Sequence, residues 1–314
     1  MQRRSLKEYL LLFSKGVAMG AADVVPGVSG GTIAFITGIY EELLNSIRSV
    51  NGEAIKLLLR FDIAGFWKHI NGNFLVGLLA GIGFSIVLLS RLVLYLLANE
   101  PEMLWAFFFG LIVASTVVVA KKITKWTPAV VLAFIIGAAI AYWVTIATPT
   151  QTPETLWFIF LSGAIAICAM ILPGISGSFI LVLMAKYEYI LNALKELQIA
   201  TILTFVAGCL VGILSFSHVL NWMLKRYHNL TVSLLTGFML GSLNKVWPWK
   251  QTLETYTDRH GEIKPLVQAN VLPTEYMQLT GQEPYLLYGI LLAIFGFVLV
   301  YFLDKVSDDH TPTV

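Results

Sequence analysis

The chain has 314 residues, 57% hydrophobic and 13% charged, against roughly 45–50% and 25% in soluble domains, and its mean hydropathy of +0.76 excludes a soluble globular fold. A formal charge of +2 excludes a nucleic-acid binder driven by net charge. Cys168 and Cys209 lie in separate apolar runs, which argues against a disulfide framework, a thiolate metal site or a redox pair.

The basic start (Arg3, Arg4, Lys7) and the apolar run from Tyr9 resemble a signal peptide, but no cleavage site follows and the segment is expected to be retained. Residues 9–47 are broken at Pro26-Gly27-Val28-Ser29-Gly30-Gly31-Thr32, too early for either half to cross a ~30 Å hydrocarbon core, so a re-entrant hairpin is predicted. The polar and aromatic stretch 48–73 (Arg60, Phe66, Trp67, Lys68) predicts a helix lying in the interface. Membrane spans follow at 74–98, 103–120 and 128–147. A second broken hairpin occupies 155–192 around Pro173-Gly174-Ile175-Ser176-Gly177-Ser178, with spans at 199–224, 230–243 and 285–303. Between the last two lies a polar excursion, 244–284, carrying Trp247, Trp249, Tyr256 and Tyr276, which reads as an interfacial cap.

The two halves, 1–147 and 155–314, are copies. Residues 16–47 match 163–194 at an offset of 147, with eleven of 32 positions identical, among them Gly16/Gly163, Pro26/Pro173, Ser29/Ser176, Tyr40/Tyr187 and Glu41/Glu188. Further on the offset falls to 127, because the first copy carries the extra stretch 48–73. With the N-terminus in the cytoplasm, segments 1–8, 48–73, 121–127, 225–229 and 304–314 hold 13 of the 21 Lys and Arg residues, as the positive-inside rule requires; both termini are then cytoplasmic. Three crossings per copy oblige the second to enter from the opposite face. The predicted fold class is an all-α integral membrane protein built as an inverted-topology repeat, a pattern of many secondary transporters.

Non-helical backbone at membrane depth must be buried in protein or line a wet cavity. In each break Pro ends the incoming helix, glycines permit tight turns, and Ser29 or Ser176 is placed to cap the outgoing half-helix. Uncapped amides and positive dipole ends, meeting near the midplane, would hold an anion. The predicted phosphate-binding residues are Pro26, Gly27, Ser29, Gly30, Gly31 and Thr32 with Pro173, Gly174, Ser176, Gly177 and Ser178. Arg91, inside span 74–98, and its repeat partner His218 are added as cations, although Arg91 is equally suited to snorkel to the headgroups. Asp23 has no acidic counterpart and is the candidate for a coupling H⁺ or Na⁺, or else a salt-bridge partner of Lys15 or Arg91. Glu41 is the second coupling candidate, though with Glu188 it also suits interfacial anchoring. No metal and no cofactor is expected.

The run Gly20-Ala-Ala-Asp-Val-Val-Pro-Gly-Val-Ser-Gly-Gly-Thr32 and its second copy Ile171-Leu-Pro-Gly-Ile-Ser-Gly-Ser178 resemble the bacterial and archaeal polyprenyl-phosphate transporter family, over nearly the whole chain. The resemblance implies a cytoplasmic-membrane protein whose partner is undecaprenyl phosphate, returned from the outer to the cytoplasmic leaflet without enzyme chemistry. Phe179 stands at the equivalent of Thr32, so the half-sites should be unequal. Two alternatives remain open. Undecaprenyl-diphosphate phosphatases carry a similar Pro-Gly-x-Ser-Arg-Ser motif, but Gly30 and Gly177 stand where that Arg would clamp phosphate; a carrier of small soluble anions would use the same half-helix site.

Overall fold

The computed structural model describes residues 4–25, 28–257 and 263–308 and is mostly helical. The first half comprises α1 (Leu6–Val24), α2 (Gly30–Ile36), α3 (Tyr40–Arg48), α4 (Gly52–Leu59), α5 (Ile63–His69), α6 (Gly72–Leu88), α7 (Ser90–Asn99), α8 (Pro101–Ala120) and α9 (Pro128–Ile146). The second comprises α10 (Leu156–Ile171), α11 (Gly177–Leu183), α12 (Tyr187–Lys195), α13 (Ile199–Arg226), α14 (His228–Ser242), β1 (Lys250–Thr257), β2 (Ile263–Asn270), α15 (Pro273–Thr280) and α16 (Leu286–Asp308).

Local chemistry sets these boundaries. Ser5 and Glu8 form a capping box at the start of α1, and Thr127 caps α9 just before Pro128 at its first position, where the missing N–H costs nothing. A residue before proline is driven out of the helical region, and α1 and α10 end accordingly: Val25 (φ −87°, ψ 118°) and Leu172 (φ −68°, ψ 128°) are both extended. The half-helices α2 and α11, seven residues each, then run to turns at Gly38 (φ 73°) and Ala185 (φ 53°). A bend of 101° separates α11 from α12.

Helices α8, α9, α13 and α16 are long and apolar enough to cross a membrane, and the number rises to six if the bent pairs α5/α6 and α11/α12 each count as one span. Only 17% of the most apolar stretch of α9, α13 and α16 is buried, against 56% for α8. Apolar helices with that much uncovered surface require a nonaqueous solvent. The protein is therefore a multi-pass membrane protein with α8 at its centre.

Packing repeats between the halves: α1 lies against α6 as α10 lies against α13, and α8 against α16 as α14 against α9. These are close crossings made possible by small residues. A Cβ on Gly81 would collide with the Phe13 carbonyl oxygen, and one on its equivalent Gly208 with that of Phe160.

Three expectations need correction. Span 74–98 is not continuous: α6 stops at Leu88 and α7 restarts at Ser90. Helix α14 has 15 residues, short of the ~20 a perpendicular crossing needs. The all-α reading misses an antiparallel β-hairpin, β1 with β2, inside 244–284. That excursion is tied down by polar bonds at its rim. Trp247 Nε1 donates to the Val271 carbonyl (2.9 Å), Trp249 Nε1 to that of Pro284 (2.8 Å), and the Tyr276 hydroxyl to the buried Glu102 carboxylate at the start of α8. In 48–73 the short helices α4 and α5 expose Ile55, Leu59, Phe61, Ile63 and Trp67, an apolar surface suited to the interface.

The glycine crossings generate a prediction with an internal control. Gly81→Leu should destabilise the detergent-solubilised protein by about 1–3 kcal/mol through overpacking. Gly83 lies on the same helix, and a side chain added there would meet nothing within 4 Å of its Cβ. Gly83→Leu should therefore leave the thermal unfolding midpoint unchanged.

Candidate functional site

The two breaks meet. Ser29 Oγ lies 3.1 Å from the carbonyl oxygens of both Met170 and Leu172, at the end of α10. The Gly174 N–H donates to Thr32 Oγ1 at 3.0 Å, and the Tyr40 hydroxyl donates to the Ile171 carbonyl at 3.1 Å. Gly174 holds φ +88° and rests on the backbone of Phe238 and Met239 in α14, a conformation and a proximity that exclude a side chain. Ser29, Thr32, Gly174 and Ser176 are all buried. Pro26 and Gly27 lie outside the described residues.

The first break differs from expectation. Its amides are taken by the chain itself: Asp23 Oδ1 accepts the Gly30 N–H at 2.7 Å, and Ser29 Oγ accepts that of Gly31 at 3.1 Å. Asp23 therefore pairs with neither Lys15 nor Arg91. It serves as an anion for the start of α2, where an external anion was expected. Lys15 instead donates to the Thr37 carbonyl at 2.6 Å, just past the other end of α2. On α6, Ser85 packs against Gly20, one turn before Asp23; its hydroxyl is the one buried side-chain polar atom without a hydrogen-bond partner among the described residues.

At the second break Ser176 caps α11 through the Phe179 N–H (3.5 Å), and its hydroxyl lies 2.8 Å from that of Ser178. Beside them is Lys245, in the segment after α14. Its Nζ stands 4.3 Å from the centroid of the Phe179 ring, and it lines a cavity of about 10 Å³ together with Gly174, Ser176 and Phe179. Lys250 approaches from β1, its Nζ donating to the Lys245 carbonyl at 2.6 Å and lying 4.0 Å from the Trp105 ring centroid. Among the described residues no carboxylate forms an ion pair with either lysine.

Magnitudes identify Lys245 as unusual. Desolvating an ammonium costs several kcal/mol after relaxation, whereas a cation–π contact returns ~0.5–2. The contact with Phe179 does not cover the cost. Burial accordingly holds Lys245 below the usual lysine range, and Lys250 further below, by burial first and by the charge of Lys245 second. An uncompensated cation in such a place is a mark of function. Phe179, which broke the repeat pattern at the Thr32 position, supplies the aromatic face that Lys245 occupies.

The remaining predicted residues sit elsewhere. Arg91 is exposed at the start of α7 and takes part in no hydrogen bond or ion pair among the described residues; its place just past the α6/α7 break lets it face outward. His218 is exposed, with Nδ1 2.7 Å from its own helix's Leu214 carbonyl. No contact among the described side chains joins either to the breaks. Glu41 is exposed, whereas its neighbour Glu42 binds Arg4 (2.5 Å) and Asn71 (2.8 Å). Lys245 was missed because it falls in a stretch of mixed charge outside every span.

The model of the undecaprenyl phosphate translocase-like family matches residues 19–264, which contain both breaks and Lys245. The chain belongs to this family. A Vibrio cholerae protein named polyprenyl-phosphate transporter is 48% identical over 300 residues, covering 96% of this chain and 97% of that one. A Staphylococcus aureus protein of the same name is 33% identical over 255 residues, covering 74% and 84%. No solved structure matches the chain.

The unpaired state of Lys245 has a measurable consequence. A lysine depressed in the folded state binds fewer protons there than in the unfolded chain, so stability rises with pH between the depressed value and the ordinary ~10.4. Lys245→Met should flatten that rise and be at least as thermally stable as wild type at pH 7. A midpoint several degrees lower would mean that the ammonium is structurally compensated.

Proposed function

We propose that this protein carries polyprenyl phosphate across the membrane, taking the undecaprenyl phosphate carrier lipid from the outer to the cytoplasmic leaflet for reuse. The observation that carries the reading is Lys245: a cation without a carboxylate, beside the paired hydroxyls of Ser176 and Ser178, at a break in membrane-embedded backbone. The names borne by the two relatives support the same substrate. A phosphate headgroup cannot cross hydrocarbon unaided, whereas the isoprenoid tail can stay in lipid throughout. The carrier therefore needs to shield only the headgroup.

In this reading Lys245, Ser176, Ser178 and Gly174 form the half-site that receives the headgroup. The cavity is about 10 Å³, room for about one water, so a phosphate is admitted only when the half-helix α11 and the segment carrying Lys245 separate. Ser29 and Thr32, bonded to the carbonyls of Met170 and Leu172 and to the Gly174 amide, form the seam against which that movement occurs, while Asp23 fixes the start of α2 within the first half. Arg91 and His218 are not part of this half-site.

The finer architecture belongs to the same proposal. The exchange of partners, α8 with the counterpart of α9 and α9 with the counterpart of α8, is what an inverted repeat produces, and seven-residue half-helices after each break favour re-entrant hairpins. Both termini then face the cytoplasm. The coupling ion is assigned to Asp23, with the unpartnered Ser85 hydroxyl nearby. Glu41, being exposed, is assigned to anchoring. Gly30 and Gly177 leave no arginine for phosphoryl chemistry at the breaks, which supports transport over hydrolysis.

The test is headgroup movement in proteoliposomes containing undecaprenyl phosphate. Lys245→Gln should slow it about tenfold or more, the worth of one charge-assisted hydrogen bond, and Lys245→Arg should restore part of the rate. Wild-type movement by the glutamine variant would sink the assignment, and phosphate release from undecaprenyl diphosphate would replace it with an enzyme. A rate that responds to a H⁺ or Na⁺ gradient in wild type should lose that response in Asp23→Asn.

A further inference from the structure

A second group of cations gathers at the far end of α13. The helix has 28 residues, about 42 Å at 1.5 Å each, longer than a ~30 Å hydrocarbon core. Its last turns therefore stand among headgroups. His218, Trp222, Lys225 and Arg226 occupy i, i+4, i+7 and i+8 and so share one face. With Arg48, from the end of α3, they line an open groove of about 410 Å³ whose five side chains are all exposed.

This groove has a prepared support. Arg48 Nη1 donates to Asn221 Oδ1 at 3.0 Å, and Asn221 Nδ2 donates to Asn45 Oδ1 at 2.7 Å. Asn221 is only 3% exposed, so one buried amide, steadied by the exposed Asn45, positions a guanidinium at the groove wall. No carboxylate lines the space. Among the described residues Arg48, Lys225 and Arg226 form no ion pair, and like charges held together without a counterion invite an anion. The aromatic pair Trp222 and Tyr227, with centroids 5.5 Å apart, marks interfacial depth, and exposed Val211, two turns before His218, continues the face along the helix.

We propose that this groove binds the phosphate headgroup of a membrane lipid, seated between Arg48, Lys225 and Arg226 with its chains along α13. The site goes beyond the transport reading, since it requires only that α13 cross a bilayer. It is also separate from the half-site at Lys245.

Native mass spectrometry of the full chain in uncharged detergent, titrated with phosphatidylglycerol, undecaprenyl phosphate or inorganic phosphate, tests it without any transport step. Lys225→Gln with Arg226→Gln should weaken binding of the two lipids roughly tenfold or more. Arg60→Gln with Lys68→Gln, which removes two cations from the α4–α5 region, should not. Unchanged lipid binding in the first variant would overturn the proposal. So would an equal loss in the second, which would reduce the effect to surface charge, or displacement of lipid by an equal concentration of inorganic phosphate, which would make this a soluble-anion site. Should the double variant fail to fold, Arg48→Gln carries the same expectations.

Discussion

Backbone that leaves the helix in buried, apolar surroundings must find its hydrogen-bond partners within the protein, and the packing of the two halves follows from how that requirement is met at two breaks. At the first break the solution is internal to the chain: Asp23 and Ser29 accept the amides of Gly30 and Gly31. Where the breaks touch, Thr32 accepts the amide of Gly174 and Ser29 shares its proton with two carbonyls of the other half. Each half thus supplies hydrogen-bond partners to the other. A seam made of obligatory polar bonds in apolar surroundings has one well-defined closed form, because any partial separation leaves buried groups unpaired at ~1–3 kcal/mol apiece.

The two halves of the sequence correspond at the breaks, and the positions where they differ set the two breaks apart. Both halves use a proline to end a helix, a serine to cap the next, and a glycine crossing to bring the flanking helix close. Asp23 has Met170 as its counterpart and Thr32 has Phe179. The first half consequently closes its own break with a carboxylate, while the second presents hydroxyls and an aromatic face to a lysine brought in by the segment after α14. The carboxyl group of Asp23 thus belongs to the first break and the lysine to the second.

Much of this was legible in the residues. The helix ends at Val24 and Ile171 and the capping serines Ser29 and Ser176 could be read because proline, glycine and serine act locally, through their own backbone restrictions. The break at Leu89 was not legible, since no proline or glycine marks it and the apolar run continues on both sides. Arg91 misled for a related reason: a long cationic side chain in an apolar run is equally content reaching outward, and hydropathy does not record direction. The β-hairpin carried only a modest signal, Thr and Tyr alternating with charges in Lys250–Thr257, and its anchors, Trp247 and Trp249, are held by carbonyls more than twenty residues away. Lys245 shows the same limit most sharply, because what makes it unusual is burial against Phe179, 66 positions earlier in the chain.

The carboxylate at the start of α2 also bears on the binding of stray anions. A vacant nest of amides at that point would offer a small anion such as chloride or inorganic phosphate a place to bind. With Asp23 already seated on Gly30, an arriving ion must displace a carboxylate that the chain itself holds in place. The first break is thereby closed by the chain's own side chains, and the amides of Gly30 and Gly31 are not left to an outside anion.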